Sequence, residues 1–490
     1  MWRNIALLCL PTYDFCMAAP LADPRLFPDA TALAKRIQTN DTSVPEVLEL
    51  HLERLQAVQP ELNAATACLT DRIQQAVDTP PTGSWAGVPI SVKETYGLKG
   101  EPLTAGSKRA PTLHPQEDAV LVQRMGAQGA VVCARGNIPE FAMTHETENL
   151  LYGRTHNPLN PERGPGGSSG GDAALVASGA VAVGFGSDLG GSVRYPAHCC
   201  GIVGFKPASG EIDDTGTWPL IDAEPPEPLL ADSMLALGPL ARSVRDVRTT
   251  YTWTANRSLP EPPPLDSLRL IAPADFTMTA RERLIPAAVD YSRRQLEDVG
   301  LTSTRARLPD AGALYQAYLT VVVRDYASFL YDALTTRNGE ALSWTREAWQ
   351  QARNRPTVHW YLFRLLASMH ALRPSAQTGW NAEAEIRQAR RAIRTQLGDD
   401  GIVLLPTNGA LAMPPGEAAA YMARPGIRGL FTPTIYPNVL NLPAISIPAW
   451  THQDARSGLV PGIQLIAAPG NEAALFAVAE ALEARLHDGP

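Results

Sequence analysis

Cysteine is scarce in this chain of 490 residues: six in all, Cys9, Cys16, Cys68, Cys133, Cys199 and Cys200, with no CxxC pair. So few exclude a disulfide scaffold, and a reducing, cytoplasmic setting is the simplest expectation. Metal-ligand spacing is missing as well. There is no HExxH, and the adjacent Cys199 and Cys200 suit core filling better than zinc binding. Neither a metal nor another cofactor is expected. A basic excess is also lacking, since 42 Lys and Arg face 50 Asp and Glu for a formal charge of −8. A dedicated nucleic-acid binder draws most of its affinity from cations on phosphates, so that class is disfavoured. Long apolar runs are absent too: Ala174–Phe185 falls well short of the roughly 18 to 20 residues that cross a bilayer. Residues 1–19 carry Arg3 and the short apolar run Ile5–Leu10, but Pro11 and Asp14 follow at once, which makes a weak match to an export signal. No membrane association is expected.

With 45% hydrophobic and 19% charged residues the chain has the composition of a folded, globular protein. The clearest helix spans residues 43–59, where Ser43 and Glu46 form a capping box, Val44, Val47, Leu48, Leu55 and Val58 share a face, and Pro60 is expected to stop it. From about 85 to 210 short β-branched runs at 88–92, 130–133 and 181–185 alternate with helical stretches, which predicts an α/β fold. Residues 211–230 hold Trp218, Pro219, Pro225, Pro226 and Pro228 among acidic residues and read as an exposed loop. After a proline connector at 260–264, a strand is expected at 268–272 and an amphipathic helix at 281–299. A largely helical stretch follows from about 313 to 397. Strands at 402–405, 444–447 and 462–466 and a helix at 472–486 complete the pattern.

The chemistry is densest between 163 and 210, where two Gly-Gly-Ser clusters flank an Ala/Val-rich helix and strand. Glycine lets backbone amides approach a ligand closely and present donors to a negative oxygen; tight turns are the plainer use of the same residues. Gly166-x-Ser168-x-Gly170 formally matches a nucleophile elbow, but an elbow needs a strand leading into it. Residues 157–165 contain three prolines and two asparagines and do not supply one. No Gly-Lys-Ser/Thr follows the glycines and no GxGxxG follows a strand, so phosphate and dinucleotide loops fail. Upstream, Lys93 ends the apolar run Gly87-Val-Pro-Ile-Ser-Val. A lysine drawn into a low-dielectric interior gives up its charge readily, which suits a base near neutral pH.

These segments together resemble the amidase signature family of serine hydrolases. Beside Lys93 and the two Gly-Ser loops, the resemblance rests on Thr104-Ala-Gly-Ser107, Gly136-Asn-Ile-Pro-Glu-Phe-Ala142, Gly153-x-Thr-x-Asn-Pro158, Gly238-Pro-Leu-Ala-Arg242 and Gly462-Ile-Gln-Leu-Ile466, and covers most of the chain. It implies a large mixed central β-sheet surrounded by helices, in a single domain over 28–490 after an N-terminal extension at 1–27. The signature core would lie at about 85–260, with a variable substrate loop at 211–230 and a helical insertion at 313–397. It further implies that Ser192 is the nucleophile, Ser168 a bridging serine after a cis peptide, and Lys93 the terminal base. Ser169 is then a neighbouring hydroxyl, and the backbone N–H groups of Leu189, Gly190, Gly191 and Ser192 face the oxyanion. Asp188 and Arg194 are expected to hold the nucleophile loop through charge-assisted hydrogen bonds. Asp172, where the family often has serine or alanine, is expected to pair with a helix dipole. Near the motifs, His145, His156 and His198 are not needed by this relay.

The implied activity is cleavage of the C–N bond of amides or carbamates (urethanes) through an acyl-enzyme. Trp218, Tyr315, Tyr318, Tyr326 and Phe329 point to apolar or aryl substrates, although core packing also accounts for the helical members of that set. The expected partner is a small-molecule substrate, and the expected assembly a monomer or homodimer. The alternative is a glutaminase subunit of a tRNA-dependent amidotransferase.

Overall fold

The computed structural model describes residues 25–487 apart from 26, 219–229, 275, 277–278, 336–338, 372 and 420–424. The weak export signal and most of the proline-rich loop therefore lie outside the described residues. In chain order the strands are β1 (Ala65–Cys68), β2 (Pro89–Lys93), β3 (Val131–Gly136), β4 (Glu148–Asn149), β5 (Gly153–Arg154), β6 (Val183–Asp188), β7 (Val203–Lys206), β8 (Ala236–Ala241), β9 (Arg269–Pro273), β10 (Thr302–Ala306), β11 (Gly401–Pro406), β12 (Ala444–Pro448) and β13 (Gly462–Ile466). Among the described residues, 11 of these strands form one mixed sheet in the order β1-β3-β2-β6-β8-β7-β12-β13-β11-β9-β10. This is the large mixed sheet expected, with helices on both faces.

The sheet is buried on both sides, so its strands read as nearly continuous apolar runs. Ile90 and Val92 of β2 join Val183 and Phe185 of β6 in one core layer. Alternation turns Ser91 and Lys93 to the other face. There lies helix α2 (Gly170–Ala177), every residue of which is buried and only one of which, Asp172, carries a charged group. Strands β3, β2 and β6 are mutually parallel, with β3 on one side of β2 and β6 on the other. The chain thus reverses its winding at β2, and a crevice opens beyond the carboxyl ends of β2 and β6, where ligands collect in open α/β sheets.

Helix α1 (Val44–Leu62) starts as expected, with both halves of the Ser43/Glu46 capping box formed, but Pro60 does not stop it. The helix runs two residues further to a left-handed Asn63. Pro60 lies in the last turn, and the Gln59 side chain ties off the end by bonding the Ala64 and Ala65 amides and the Ala65 carbonyl. The stretch from 313 to 397 is helical as read: α4 (Ala311–Ala333), α5 (Trp344–Ala352), α6 (Trp360–Ala371) and α7 (Ala376–Leu397), with α3 (Arg194–Cys200) before them and α8 (Pro425–Val439) after. The apolar run Ala174–Phe185 divides between the end of α2 and the start of β6. No helix among the described residues is long and apolar enough to cross a membrane.

Candidate active site

Lys93 closes β2 and is wholly buried. Its Nζ donates to Ser168 Oγ at 2.7 Å, to Ser187 Oγ at 2.8 Å and to the Ser187 carbonyl at 3.3 Å. Burial disfavours the ammonium and lowers its pKa from 10.5 to about 7, against the opposing charges of Asp172 and Asp188. Near neutral pH this amine exchanges readily between its two protonation states.

Ser168 reaches the amine from the glycine loop that precedes α2, following a cis Gly167–Ser168 peptide. Close packing explains the neighbouring glycines: a Cβ at Gly166, whose φ is +77°, would lie 2.9 Å from Pro196 Cα, and one at Gly167 would strike the Glu146 carbonyl. Ser169 does not reach Lys93. Its hydroxyl is buried beside Gly186 without a hydrogen-bond partner among the described residues, while its amide donates to the Ser192 carbonyl at 3.2 Å and ties the two glycine loops together.

The second loop runs from Asp188, the last residue of β6, to Arg194, the first of α3. Asp188 accepts the Gly191 amide at 2.7 Å, the Val193 amide at 3.1 Å and the Asn438 Nδ2 at 2.8 Å. Arg194 closes on both oxygens of the same carboxylate at 3.0 and 3.1 Å, with both side chains wholly buried. Burial alone would raise the Asp188 carboxyl; Arg194, Lys206 and Asn438 hold it well below the usual carboxylate range. The expected loop-holding role of Asp188 and Arg194 therefore has a geometry. Of the four amides expected at the oxyanion, that of Gly191 is instead bonded to Asp188. The physical reason is that the carboxylate capping the loop draws in this N–H.

His145 and His198 are buried and neutral, their pKa values lowered by burial to about 4. His145 Nε2 donates to the Gly190 carbonyl at 2.8 Å, and His198 Nε2 to that of Ala410 at 2.8 Å. His156 bonds the Pro161 carbonyl through Nδ1. None of these contacts joins the Lys93–Ser168 pair.

Ser168, Ser187 and Ser192 open into a cleft walled by Phe141, Met143, Trp218, Leu237 and Phe329. Phe141 and Trp218 stack at 5.1 Å with planes 16° apart, and Phe329 leans on Trp218 at 5.4 Å. No described lining residue of this cleft carries a charged side chain. Beyond Ser192 a second lobe continues past Leu189 to Tyr318, Val322, Leu365 and Met369. Of the aromatic residues singled out in the sequence, Trp218, Tyr326 and Phe329 reach the cleft and Tyr318 the second lobe, whereas Tyr315 packs in the core. Phe141, Met143, Ser187 and Asn438 have no place in the sequence reading of the site. Phe141 lies inside the Gly136–Ala142 motif, which is the signal that points to it. Glu140 beside it accepts Ser107 Oγ at 2.6 Å and the His359 amide at 2.7 Å, fixing this wall to the helical insertion.

A family model described as Amidase matches residues 46–476. Among curated proteins, a glutamyl-tRNA(Gln) amidotransferase subunit from Anaeromyxobacter dehalogenans is 30% identical over 474 residues, covering 91% of this chain and 93% of that protein. The indoleacetamide hydrolase of Bradyrhizobium diazoefficiens is 28% identical over 481 residues, covering 93% and 86%. Among solved structures, a 6-aminohexanoate cyclic dimer hydrolase complexed with substrate superposes with a TM-score of 0.76 at 26% identity, over 94% of this chain and 98% of that one.

Proposed function

The chain belongs to the amidase family, hydrolases of C–N bonds, and from that premise we propose that it acts alone on amides, carbamates included, that carry apolar or aryl groups. The observation that carries this reading is the buried Lys93 Nζ lying 2.7 Å from Ser168 Oγ at a cleft shared with Ser192. When the amine is neutral, the proton passes back along that contact: Ser192 Oγ attacks the carbonyl, its proton goes to Ser168, and Ser168 yields its own to Lys93. Amides of Leu189, Gly190 and Ser192 receive the developing oxyanion, where one well-placed donor is worth about 3 to 4 kcal/mol. The proton then returns through Ser168 to the leaving nitrogen, the C–N bond breaks, and an ester to Ser192 remains. Water repeats the sequence and frees the acid.

The relatives named as amidotransferase subunits support a second reading, a glutaminase that works inside a complex. The cleft weighs against it. Glutamine carries an ammonium and a carboxylate next to its side chain, and burying these without counter-ions, of which the described lining residues offer none, costs several kcal/mol or more. An aryl group meets Phe141, Trp218 and Phe329 instead.

The experiment is turnover by the purified chain of p-nitroacetanilide, a phenyl carbamate and glutamine. Hydrolysis of the first two without glutamine supports the proposal. Glutamine alone as substrate would replace it with the second reading. Mapping a fluorophosphonate adduct by mass spectrometry tests the roles: label on Ser192 is expected, and label on Ser168 or elsewhere overturns them.

A further inference from the structure

We propose that Asp172 is a positioning residue for the base, a buried carboxylate that sets how readily Lys93 releases its proton. The inference rests on the reading of Lys93 as base.

The sheet makes room for this carboxylate. In register, Ser91 of β2 lies opposite Gly184 of β6, and Lys93 opposite Gly136 of β3. A Cβ at Gly136 would overlap Asp172 Oδ2, and one at Gly184 would lie 3.0 Å from Asp172 Cβ and 3.1 Å from Ser91 Oγ. Two glycines on the strands flanking β2 thus leave a space of carboxylate size beneath the first turn of α2. Asp172 occupies it with no exposure to solvent. Ser91 Oγ donates to Oδ1 at 2.7 Å, whereas Oδ2 has no hydrogen-bond partner among the described residues.

A carboxylate oxygen left without a donor in the interior is costly unless a cation lies near. Lys93, on the same face as Ser91 and two residues on, supplies that charge through space, its own hydrogen bonds going to Ser168 and Ser187, and each group acts on the charge of the other. Burial pushes Asp172 up to about 7, the same range to which it lowers Lys93. The other ionisable groups around the pair are Asp188, already engaged by Arg194, and Tyr96, whose phenol burial and the Asp172 charge keep neutral. The acid midpoint of the reaction therefore belongs to the pair. Removing the carboxylate charge disfavours the ammonium, so the midpoint must move to lower pH.

The test is the second-order rate of fluorophosphonate labelling at Ser192 between pH 5 and 9, for the wild type, Asp172→Asn and Ser91→Ala. Asp172→Asn is expected to lower the midpoint by about one pH unit, which is about tenfold faster labelling well below it, with the plateau little changed. Ser91→Ala removes the donor that favours the Asp172 anion, so a smaller shift in the same direction is expected. A folded Asp172→Asn protein with an unmoved midpoint overturns the proposal. If that variant does not fold, Ser91→Ala decides, and an unmoved or raised midpoint overturns it. A Lys93→Met protein that labels as fast as the wild type would instead show that the base assignment, and the pair with it, is wrong.

Discussion

Replacing Arg194 with methionine tests what holds the nucleophile loop. Methionine keeps much of the side-chain volume and removes the guanidinium from a site with no solvent access on either partner. Asp188 then keeps its bonds from Gly191, Val193 and Asn438 and the weaker influence of Lys206 but loses the cation that does most to offset its burial. The Thr434 carbonyl, bonded by Arg194 at 2.8 Å, and Asn438 Oδ1, at 2.6 Å, lose a donor. One-sided removal of a buried ion pair costs about 3 to 5 kcal/mol, a large part of the roughly 5 to 15 kcal/mol that stabilises a typical protein. In the wild type Asp188 titrates below its ordinary 3.8, so its contribution is present above that value and lost as pH falls through the folded one. In the variant burial acts without the arginine and raises the carboxyl, so stability falls as pH rises through the unfolded value. Urea unfolding followed by circular dichroism at pH 4.5 and pH 7 should therefore show the larger loss at pH 7. Adding Asp188→Asn to the variant removes the stranded charge and should recover about 2 kcal/mol. A loss independent of pH, or no recovery in the double variant, would refute the ion-pair argument.

Lys93→Met should slow turnover by about a thousandfold or more, within the scale of a general base and its coupled proton transfers. In the wild type, kcat/KM should rise about tenfold per pH unit below a midpoint near 7, because burial lowers the Lys93 ammonium to about that value; a flat profile from pH 5.5 to 9 contradicts a lysine base. Trp218→Ala removes the ring between Phe141 and Phe329 and should raise KM for an aryl amide about tenfold while leaving acetamide nearly unchanged; equal effects on both would place the ring outside the substrate's reach. At Gly190 a Cβ would lie 2.5 Å from the Tyr318 hydroxyl, so Gly190→Ala should lower kcat and the added Tyr318→Phe should restore part of it, with no restoration counting against the clash.

Much of the fold is legible locally. The alternation of Pro89–Lys93 and the apolar run Gly462–Ile466 announce strands, and the Ser43/Glu46 pair announces a helix start. Pro60 misleads as a stop signal because the bonds that carry the helix past it do not use its missing N–H: Asn63 donates to the Gln59 carbonyl, and the Gln59 side chain holds the Ala64 and Ala65 amides. β1 and β10 carry little local signal: Ala65–Cys68 and Thr302–Ala306 are short and partly exposed, and they take up strand geometry only by pairing with β3 and β9.

At the site, the motif segments single out Lys93, Ser168 and Ser192, and nearest-neighbour chemistry announces the Asp188–Arg194 clasp, since its partners lie six residues apart. Composition also weighed against whole classes of protein, because charge balance and cysteine number act without regard to position. Only the tertiary structure set the Ser187 hydroxyl beside the Lys93 amine and stacked Phe141, Trp218 and Phe329 into one wall. It also opened a space over Gly136 and Gly184 for the Asp172 carboxylate. The reason is range: helix and strand periodicity speak of residues a few positions apart, whereas these contacts depend on a sheet whose neighbouring strands are far apart in the chain.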